Sequence, residues 1–171
     1  FFCCLYPPAD LMTCLTYGSV TIFASIASVC FDRVIGGTRE SIWRALTDGN
    51  VLSRWLASAT LEPHVGGRVA IDFGEGQRVA GTVIALEAPR LLEYSWTLPD
   101  QDDSVLRFEL AADGQDTHVV LEHRLLPPDQ AVGYGAGWHA HLDSLQMLAE
   151  GTDPIEWEQR FSEVLGHYAG A

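Results

Sequence analysis

The sequence contains no lysine, and all ten of its basic residues are arginine. This absence excludes Schiff-base chemistry through a lysine, a lysine general base and the lysine of a phosphate-binding loop. The ten arginines are outnumbered by 23 acidic residues, which gives the chain a formal net charge of -13. Because nucleic-acid binding requires clustered positive charge, we expect no nucleic acid among the partners.

Cysteine is confined to the first 30 of the 171 residues, at Cys3, Cys4, Cys14 and Cys30. The rest of the chain therefore has neither a cysteine nucleophile nor thiolate ligands for zinc. A disulfide framework would normally be spread over the fold that it stabilises. The distribution is typical of a protein in a reducing compartment, and we expect a cytoplasmic location.

The N-terminal region has no apolar run that could cross a bilayer. Its longest run, residues 20–31, is about 12 residues long and contains serine and threonine, whereas a membrane-spanning helix needs about 20 apolar residues. The basic region of a secretory signal is also missing. We therefore expect no membrane partner, a leader over residues 1–22 and a single domain over residues 23–171.

The first predicted elements are a strand and two helices. Residues 25–35 are rich in β-branched and apolar side chains, which favours a strand. Thr38 is predicted to cap a first helix and Asn50 to cap a short second one. Between residues 58 and 126, alternating apolar residues and short turns then predict a run of antiparallel strands.

A long helix is predicted over residues 131–150, where apolar residues recur at helical spacing. The large members of its apolar face are Trp138, Leu142 and Leu145. His139 and Asp143 are four residues apart, so they share a side of the helix, where we expect a surface pair facing water.

Asp153-Pro154 predicts the start of a final helix near residues 154–168. A long helix that follows a series of strands has to bury its apolar face against their sheet. The whole pattern predicts an α+β protein of the helix-grip class. Its expected parts are a curved antiparallel sheet of about six to seven strands, two short helices and a long C-terminal helix across the sheet.

Six short stretches of the chain carry a family resemblance. They are Ile42-Trp43-Arg44-Ala45-Leu46-Thr47-Asp48, residues 52–56 with Trp55, Gly66-Gly67, Gly81 with residues 87–91, residues 117–123, and Gly137-Trp138 with residues 141–145. In this order they resemble the bacterial SRPBCC (START-like) proteins of the activator-of-heat-shock-ATPase homologue type. The resemblance covers roughly residues 25–150. It implies a helix-grip fold with a deep apolar cavity between the sheet and the long helix.

Large inward-facing side chains could line such a cavity or simply fill it. Alternation along the strands predicted at residues 91–98 and 117–126 places every second side chain on the inward face of the sheet. It also turns Leu125 inward. The candidate ligand-binding residues are Tyr94, Trp96, Val119, Leu121, His123, Tyr134, Trp138 and Leu142.

His123 is the most informative polar residue of this set. Burial of an imidazole without a partner is costly, so His123 should either form hydrogen bonds within the core or contact a ligand. Tyr94 offers a hydroxyl with the same two alternatives. No catalytic residue is assigned on this basis.

Metal binding and phosphate binding are not expected. His139 and His141 are two residues apart on a helix and point about 200° apart, so they cannot hold one ion together. The spacing of Gly133, Gly135 and Gly137 differs from a dinucleotide-binding fingerprint. These glycines more simply allow a close approach of the helix or form the rim of a pocket, and we expect no cofactor.

Three functions are compatible with these features. The favoured hypothesis is non-catalytic binding of a small hydrophobic molecule in the cavity. An alternative is an enzyme of the polyketide cyclase or dehydratase kind, which the same superfamily contains, with His123 and Tyr94 as acid–base groups. A co-chaperone that activates an ATPase rests on fold-level analogy alone, so a chaperone partner is not expected, while a homodimer is left open.

Overall fold

The computed structural model of the chain describes residues 17–170. Eight strands and four α-helices follow one another in these residues, with a short 3-10 turn at Pro128–Gln130. In chain order they are β1 (Ser19–Phe23), β2 (Ile26–Ile35), α1 (Arg39–Thr47), α2 (Gly49–Leu52), β3 (Ser58–Leu61), β4 (Arg68–Asp72), β5 (Arg78–Glu87), β6 (Leu91–Trp96), β7 (Ser104–Asp113), β8 (Asp116–Leu126), α3 (Ala131–Ala149) and α4 (Trp157–Ala169).

The eight strands form one antiparallel sheet in the order β1-β2-β8-β7-β6-β5-β4-β3. Helices α1 and α2 connect β2 to β3, the two strands that this order places far apart. Helix α3 packs against the sheet, and α4 packs against α3. The predicted α+β helix-grip architecture is confirmed, with eight strands rather than about six to seven.

Strand β1 accounts for part of this difference in number. Four of its five residues, 19–22, were assigned to the leader, but the strand pairs with β2 from Ser19 opposite Cys30 to Phe23 opposite Ile26. Three of the five residues are β-branched, which suits an extended backbone. Of the predicted leader, residues 1–16 lie outside the described part of the chain.

The caps of the two short helices follow from local hydrogen bonds. The Thr38 hydroxyl accepts a bond from the Ser41 amide at 3.3 Å, so the predicted cap of α1 is confirmed. The predicted cap of α2 at Asn50 is wrong, because the Asp48 carboxylate accepts from the Asn50 amide at 3.0 Å and caps the helix itself.

Helix α3 is buried on more than one side. Trp138, Leu142 and Leu145 face the core as predicted. The expectation that His139 and Asp143 face water is wrong, since His139 is 0% exposed and the Asp143 side chain 13% exposed. The reason is α4, which covers the side of α3 that a single closing helix would leave in solvent.

Helix α4 begins at Trp157, three residues later than Asp153-Pro154 suggests. Residues 152–156 are exposed and have no regular structure. The later start places Trp157 beside His141 of α3, with their ring centroids 5.5 Å apart.

Leu125 also departs from the predicted alternation. Its backbone has a φ of 63° and its side chain is 44% exposed, whereas the next residue, Leu126, is buried. The pairing of β2 with β8 shifts register at this point, between Ala27 and Ser28. Because the bulge adds one residue to β8, it moves the inward position from Leu125 to Leu126.

Candidate ligand-binding cleft

A cleft of about 1020 Å³ opens at the end of the sheet where the β4–β5 turn and the β6–β7 connection lie. The first half of α3, the start of α4 and the residues just before β3 complete its walls. Its volume is at the upper end of the range of small-molecule pockets, about 300–1,000 Å³. The chain therefore has room for a sizeable organic ligand at this end of the sheet.

Aromatic rings form a continuous belt around the cleft. Phe73, from the β4–β5 turn, lies between Trp96 at 6.0 Å and His141 at 5.8 Å, measured between ring centroids. On α4, Trp157 and Phe161 stack with centroids 4.8 Å apart. The rings on the walls are Phe73, Trp96, Tyr134, Trp138, His141, Trp157 and Phe161.

One carboxylate holds α4 in place beside this belt. Asp143 of α3 accepts a hydrogen bond from Arg33 of β2 at 2.6 Å, and its other oxygen accepts from Arg160 of α4 at 2.6 Å. The His139 ring lies 3.4 Å from the same carboxylate and 2.9 Å from the Tyr168 hydroxyl of α4. The cluster of Arg33, His139, Asp143 and Arg160, called the α4 anchor below, joins the sheet to both helices.

The charges of the α4 anchor shift the pKa values of its members. Burial acts to raise the pKa of Asp143, but hydrogen bonds from His139, Arg160 and Arg33 outweigh it and hold that pKa well below its usual range. Burial lowers the pKa of His139, and the nearby arginines act in the same direction. The carboxylate is therefore ionised at neutral pH and offsets the charges of two arginines.

His123 has hydrogen bonds at both ring nitrogens. The Trp138 indole N–H donates to Nδ1 at 3.0 Å, and Nε2 lies 2.8 Å from the Ser104 hydroxyl. Because Nδ1 accepts, we assign the proton to Nε2, which donates to Ser104, and that hydroxyl donates to the Trp96 carbonyl at 3.0 Å. Burial lowers the pKa of His123 to about 3, so the ring is neutral at pH 7.

One buried polar atom in the cleft walls has no hydrogen-bond partner among residues 17–170. It is the indole N–H of Trp96, a residue that is 4% exposed. It acts on the pKa of the nearby Tyr134 hydroxyl but lies outside hydrogen-bond geometry. His141, which also lines the cleft, directs its Nδ1 to the Trp55 carbonyl at 3.3 Å, so its Nε2 is left as a hydrogen-bond acceptor. The wall of the cleft thus contains one unpaired buried donor and one imidazole acceptor.

The sequence-predicted site residues fall into two groups. Trp96, Tyr134 and Trp138 line the cleft. The other five, which are Tyr94, Val119, Leu121, His123 and Leu142, are buried in the core between the sheet and α3. Large side chains therefore occupy the centre of the predicted cavity, and the open space lies at its end.

Four lining rings were not among the predicted site residues: Phe73, His141, Trp157 and Phe161. The spacing of Trp157 and Phe161 does place them on one side of a helix, which is a usable signal. Arg33 of the α4 anchor could also have been recognised from the sequence, because it occupies an inward position of β2 between Phe31 and Ile35. A charged residue at such a position requires a partner.

Residues 17–170 contain no group of three or more histidine, cysteine, aspartate or glutamate side chains placed to hold a metal ion. Among the helices described, none combines the length and the apolar character needed to cross a bilayer.

The chain matches the profile of one protein family over residues 37–150, described as "Activator of Hsp90 ATPase homolog 1-like protein". The crystal structure of CalU16 from Micromonospora echinospora is similar with a TM-score of 0.74 and 25% identity, over 90% of this chain and 96% of that one. MLL2253 from Mesorhizobium loti is 33% identical over 74% of this chain and 98% of that one, with a TM-score of 0.67.

DynU16, a protein of the dynemicin biosynthetic locus, shares the fold at 17% identity and a TM-score of 0.59, over 81% of this chain and 47% of that one. No curated protein matches the chain.

Proposed function

The chain belongs to the family of Activator of Hsp90 ATPase homolog 1-like proteins, and on that premise we propose that it binds a small hydrophobic molecule, without catalysis, in the cleft at the end of the sheet. The observation that carries the proposal is the Trp96 indole N–H, buried in an aromatic wall without a partner. A buried donor left unpaired costs roughly 1–3 kcal/mol. A ligand acceptor that reached this N–H by displacing the neighbouring Tyr134 hydroxyl would recover that cost.

The shape of the cleft supports an organic ligand with flat apolar surfaces. Rings that stand 5 to 6 Å apart can pack against a planar guest by offset or edge contacts, and such pairs contribute about 0.5–1.5 kcal/mol beyond simple burial. Gly133 and Gly137 lie on the wall, where a side chain would narrow the opening. The context of DynU16, a biosynthetic locus, is in keeping with a small-molecule ligand.

The polyketide cyclase or dehydratase alternative has less support. It requires His123 and Tyr94 to act on a shared substrate, but both nitrogens of His123 are engaged by Ser104 and Trp138. Burial raises the pKa of Tyr94 well above its usual range, and no hydrogen bond joins it to His123 in the described residues. Neither side chain lines the cleft. The ATPase-activating role named in the family description rests on fold-level analogy alone.

The proposal can be tested with two flat tricyclic probes, 9-fluorenone and fluorene, which differ by one carbonyl acceptor. Binding is measured by quenching of tryptophan fluorescence, because Trp96, Trp138 and Trp157 line the cleft. We expect both probes to bind. Trp96→Phe keeps a ring but removes the N–H, so it should weaken fluorenone binding by about fivefold, which is the net value of one hydrogen bond, and leave fluorene unchanged.

Two further variants make the test specific to the cleft. At Gly133 an added Cβ meets no atom within 4 Å, so Gly133→Phe should fold and obstruct the cleft, abolishing binding of both probes. Trp43→Phe, outside the cleft, is the control and should bind like the parent. The proposal is overturned if neither probe binds the parent protein, or if Gly133→Phe binds the probes as tightly as the parent does.

A further inference from the structure

The charged residues around the cleft are all acidic. Five carboxylate side chains line it and no arginine does. They are Asp72, Glu75, Asp129, Glu156 and Glu158. Asp72 is paired with Arg78 at 2.8 Å, whereas the other four take part in no ion pair within residues 17–170. A cleft with this rim attracts cations and repels anions, particularly at low ionic strength.

A second observation comes from His141, which is 8% exposed and lines the cleft. A carbonyl oxygen can only accept, so the hydrogen bond with the Trp55 carbonyl places the proton of the ring on Nδ1. Burial lowers the pKa of His141 to about 4, and the ring is neutral at pH 7. Its Nε2 therefore presents a lone pair that only a hydrogen-bond donor can satisfy.

The aromatic belt is a third feature of the cleft that favours a cation. The stacked rings of Trp157 and Phe161 stand at the start of α4, where Glu156 and Glu158 flank Trp157 in the chain. The face of an aromatic ring carries partial negative charge and attracts an ammonium group within about 6 Å of its centroid. Ring faces, carboxylates and an imidazole lone pair thus surround one opening.

We propose, building on the function proposed above, that the occupant of the cleft is an aromatic molecule bearing a protonated amino group, and that aromatic or fatty carboxylates are poor ligands. The rings hold its flat part, and the ammonium group lies among the acidic side chains of the rim. An N–H of the ligand satisfies His141, and an acceptor on its ring system satisfies Trp96.

A matched series of probes tests the charge preference: 9-(aminomethyl)anthracene, anthracene-9-methanol and anthracene-9-carboxylate, which share one ring system and differ in charge. Affinities are measured by isothermal titration calorimetry at low salt and at about 0.5 M salt. The amine should bind at least about tenfold more tightly than the carboxylate, with the alcohol between them. The difference should shrink at high salt because the rim is exposed.

Two double variants with the same change in net charge locate the effect. Glu156→Gln/Glu158→Gln should weaken binding of the amine and leave the alcohol unchanged. Glu40→Gln/Asp113→Asn removes two charges that do not line the cleft and should change neither affinity.

The outcomes separate the two proposals. If neither the anthracenes nor the fluorene probes bind, the proposed function itself fails. If the fluorene probes bind and none of the anthracenes does, only the inference about the amine is overturned. If all three bind equally, the proposed function stands and the inference about charge is overturned. If both double variants weaken the amine equally, the preference comes from the overall charge of -13 and the assignment to this rim is wrong.

Discussion

The Arg160 guanidinium of α4 lies 2.6 Å from the carboxylate of Asp143 on α3, and it is one of two arginines that this carboxylate holds. The other, Arg33 of β2, is 3% exposed and approaches from the sheet side. One largely buried carboxylate therefore ties α4, and with it the wall made by Trp157 and Phe161, to both α3 and the sheet, beside the buried contacts of Val164 and Tyr168.

Replacement of that charge should loosen α4. In Asp143→Asn, Arg33 and Arg160 remain close together without a counter-charge, which we expect to lower the free energy of unfolding by about 3 kcal/mol. Urea denaturation measures this loss, and amide hydrogen exchange should accelerate over residues 157–169 before the sheet is affected.

Glu163→Gln is the matched control, because Glu163 also accepts from Arg160, at 3.0 Å, but in solvent. It should leave both the stability and the exchange of α4 unchanged. Equal effects of the two variants would show that the buried geometry of the α4 anchor is unimportant.

The stability of the protein should fall in mild acid. His123 and His141 have folded-state pKa values of about 3 and about 4, both below the usual 6.5, because burial disfavours the charged ring. Between these values and 6.5 the unfolded chain binds protons that the folded chain does not, so stability is complete above 6.5 and declines as the pH falls. The two rings together should cost about 4 kcal/mol by about pH 5, measured by urea denaturation.

His141→Phe tests the assignment to these rings, since it should remove about half of that decline. His64→Gln, which changes an exposed histidine, should follow the parent curve. A decline in His141→Phe as steep as in the parent would refute the contribution of His141.

The glycines of the two C-terminal helices should respond differently to alanine. A Cβ on Gly135 would lie 2.9 Å from the Tyr168 ring and 3.1 Å from Val20, so Gly135→Ala should destabilise the protein by roughly 1–3 kcal/mol. A Cβ on Gly166, in the exposed face of α4, meets no atom within 4 Å. Gly166→Ala should therefore stabilise by about 0.5–1 kcal/mol through helix propensity. Thermal denaturation of the two variants gives the comparison.

Ser104 is expected to matter through His123. Ser104→Ala removes the acceptor of the buried imidazole N–H, and a buried donor without a partner costs roughly 1–3 kcal/mol. Ser162→Ala, which removes an exposed hydroxyl bonded to the Glu158 carbonyl, is the control and should have little effect on urea denaturation. If both variants are equally stable, His123 has another way to satisfy its N–H.

Much of the fold could be predicted from periodicity and turns. Thr38, Trp138 and Leu142 have roles that depend on neighbours along their own element, and hydrogen-bond caps and helical spacing express such neighbours directly. Asp143 could not be placed in this way. Its burial depends on Arg33 and Arg160, which are 110 and 17 residues away in the chain.

The candidate site was harder to predict than the fold for a related reason. Strand alternation tells which side chains point inward, but whether Tyr94 or Leu121 lines a space or fills it depends on the volumes of all the residues opposite. The opening lies elsewhere, in a cleft lined both by Phe73 of the β4–β5 turn and by Trp157 of α4. No local pattern connects those two residues.

The match to the family ends at residue 150, whereas Trp157 and Phe161 of the cleft wall follow it in the chain. The cleft residues that the sheet and α3 contribute lie within the matched residues 37–150, whereas those that α4 contributes lie outside them. Substitutions in α4 can therefore change which guest is accommodated without altering the residues that hold the sheet together. Selection for a new ligand would have a separate segment on which to act.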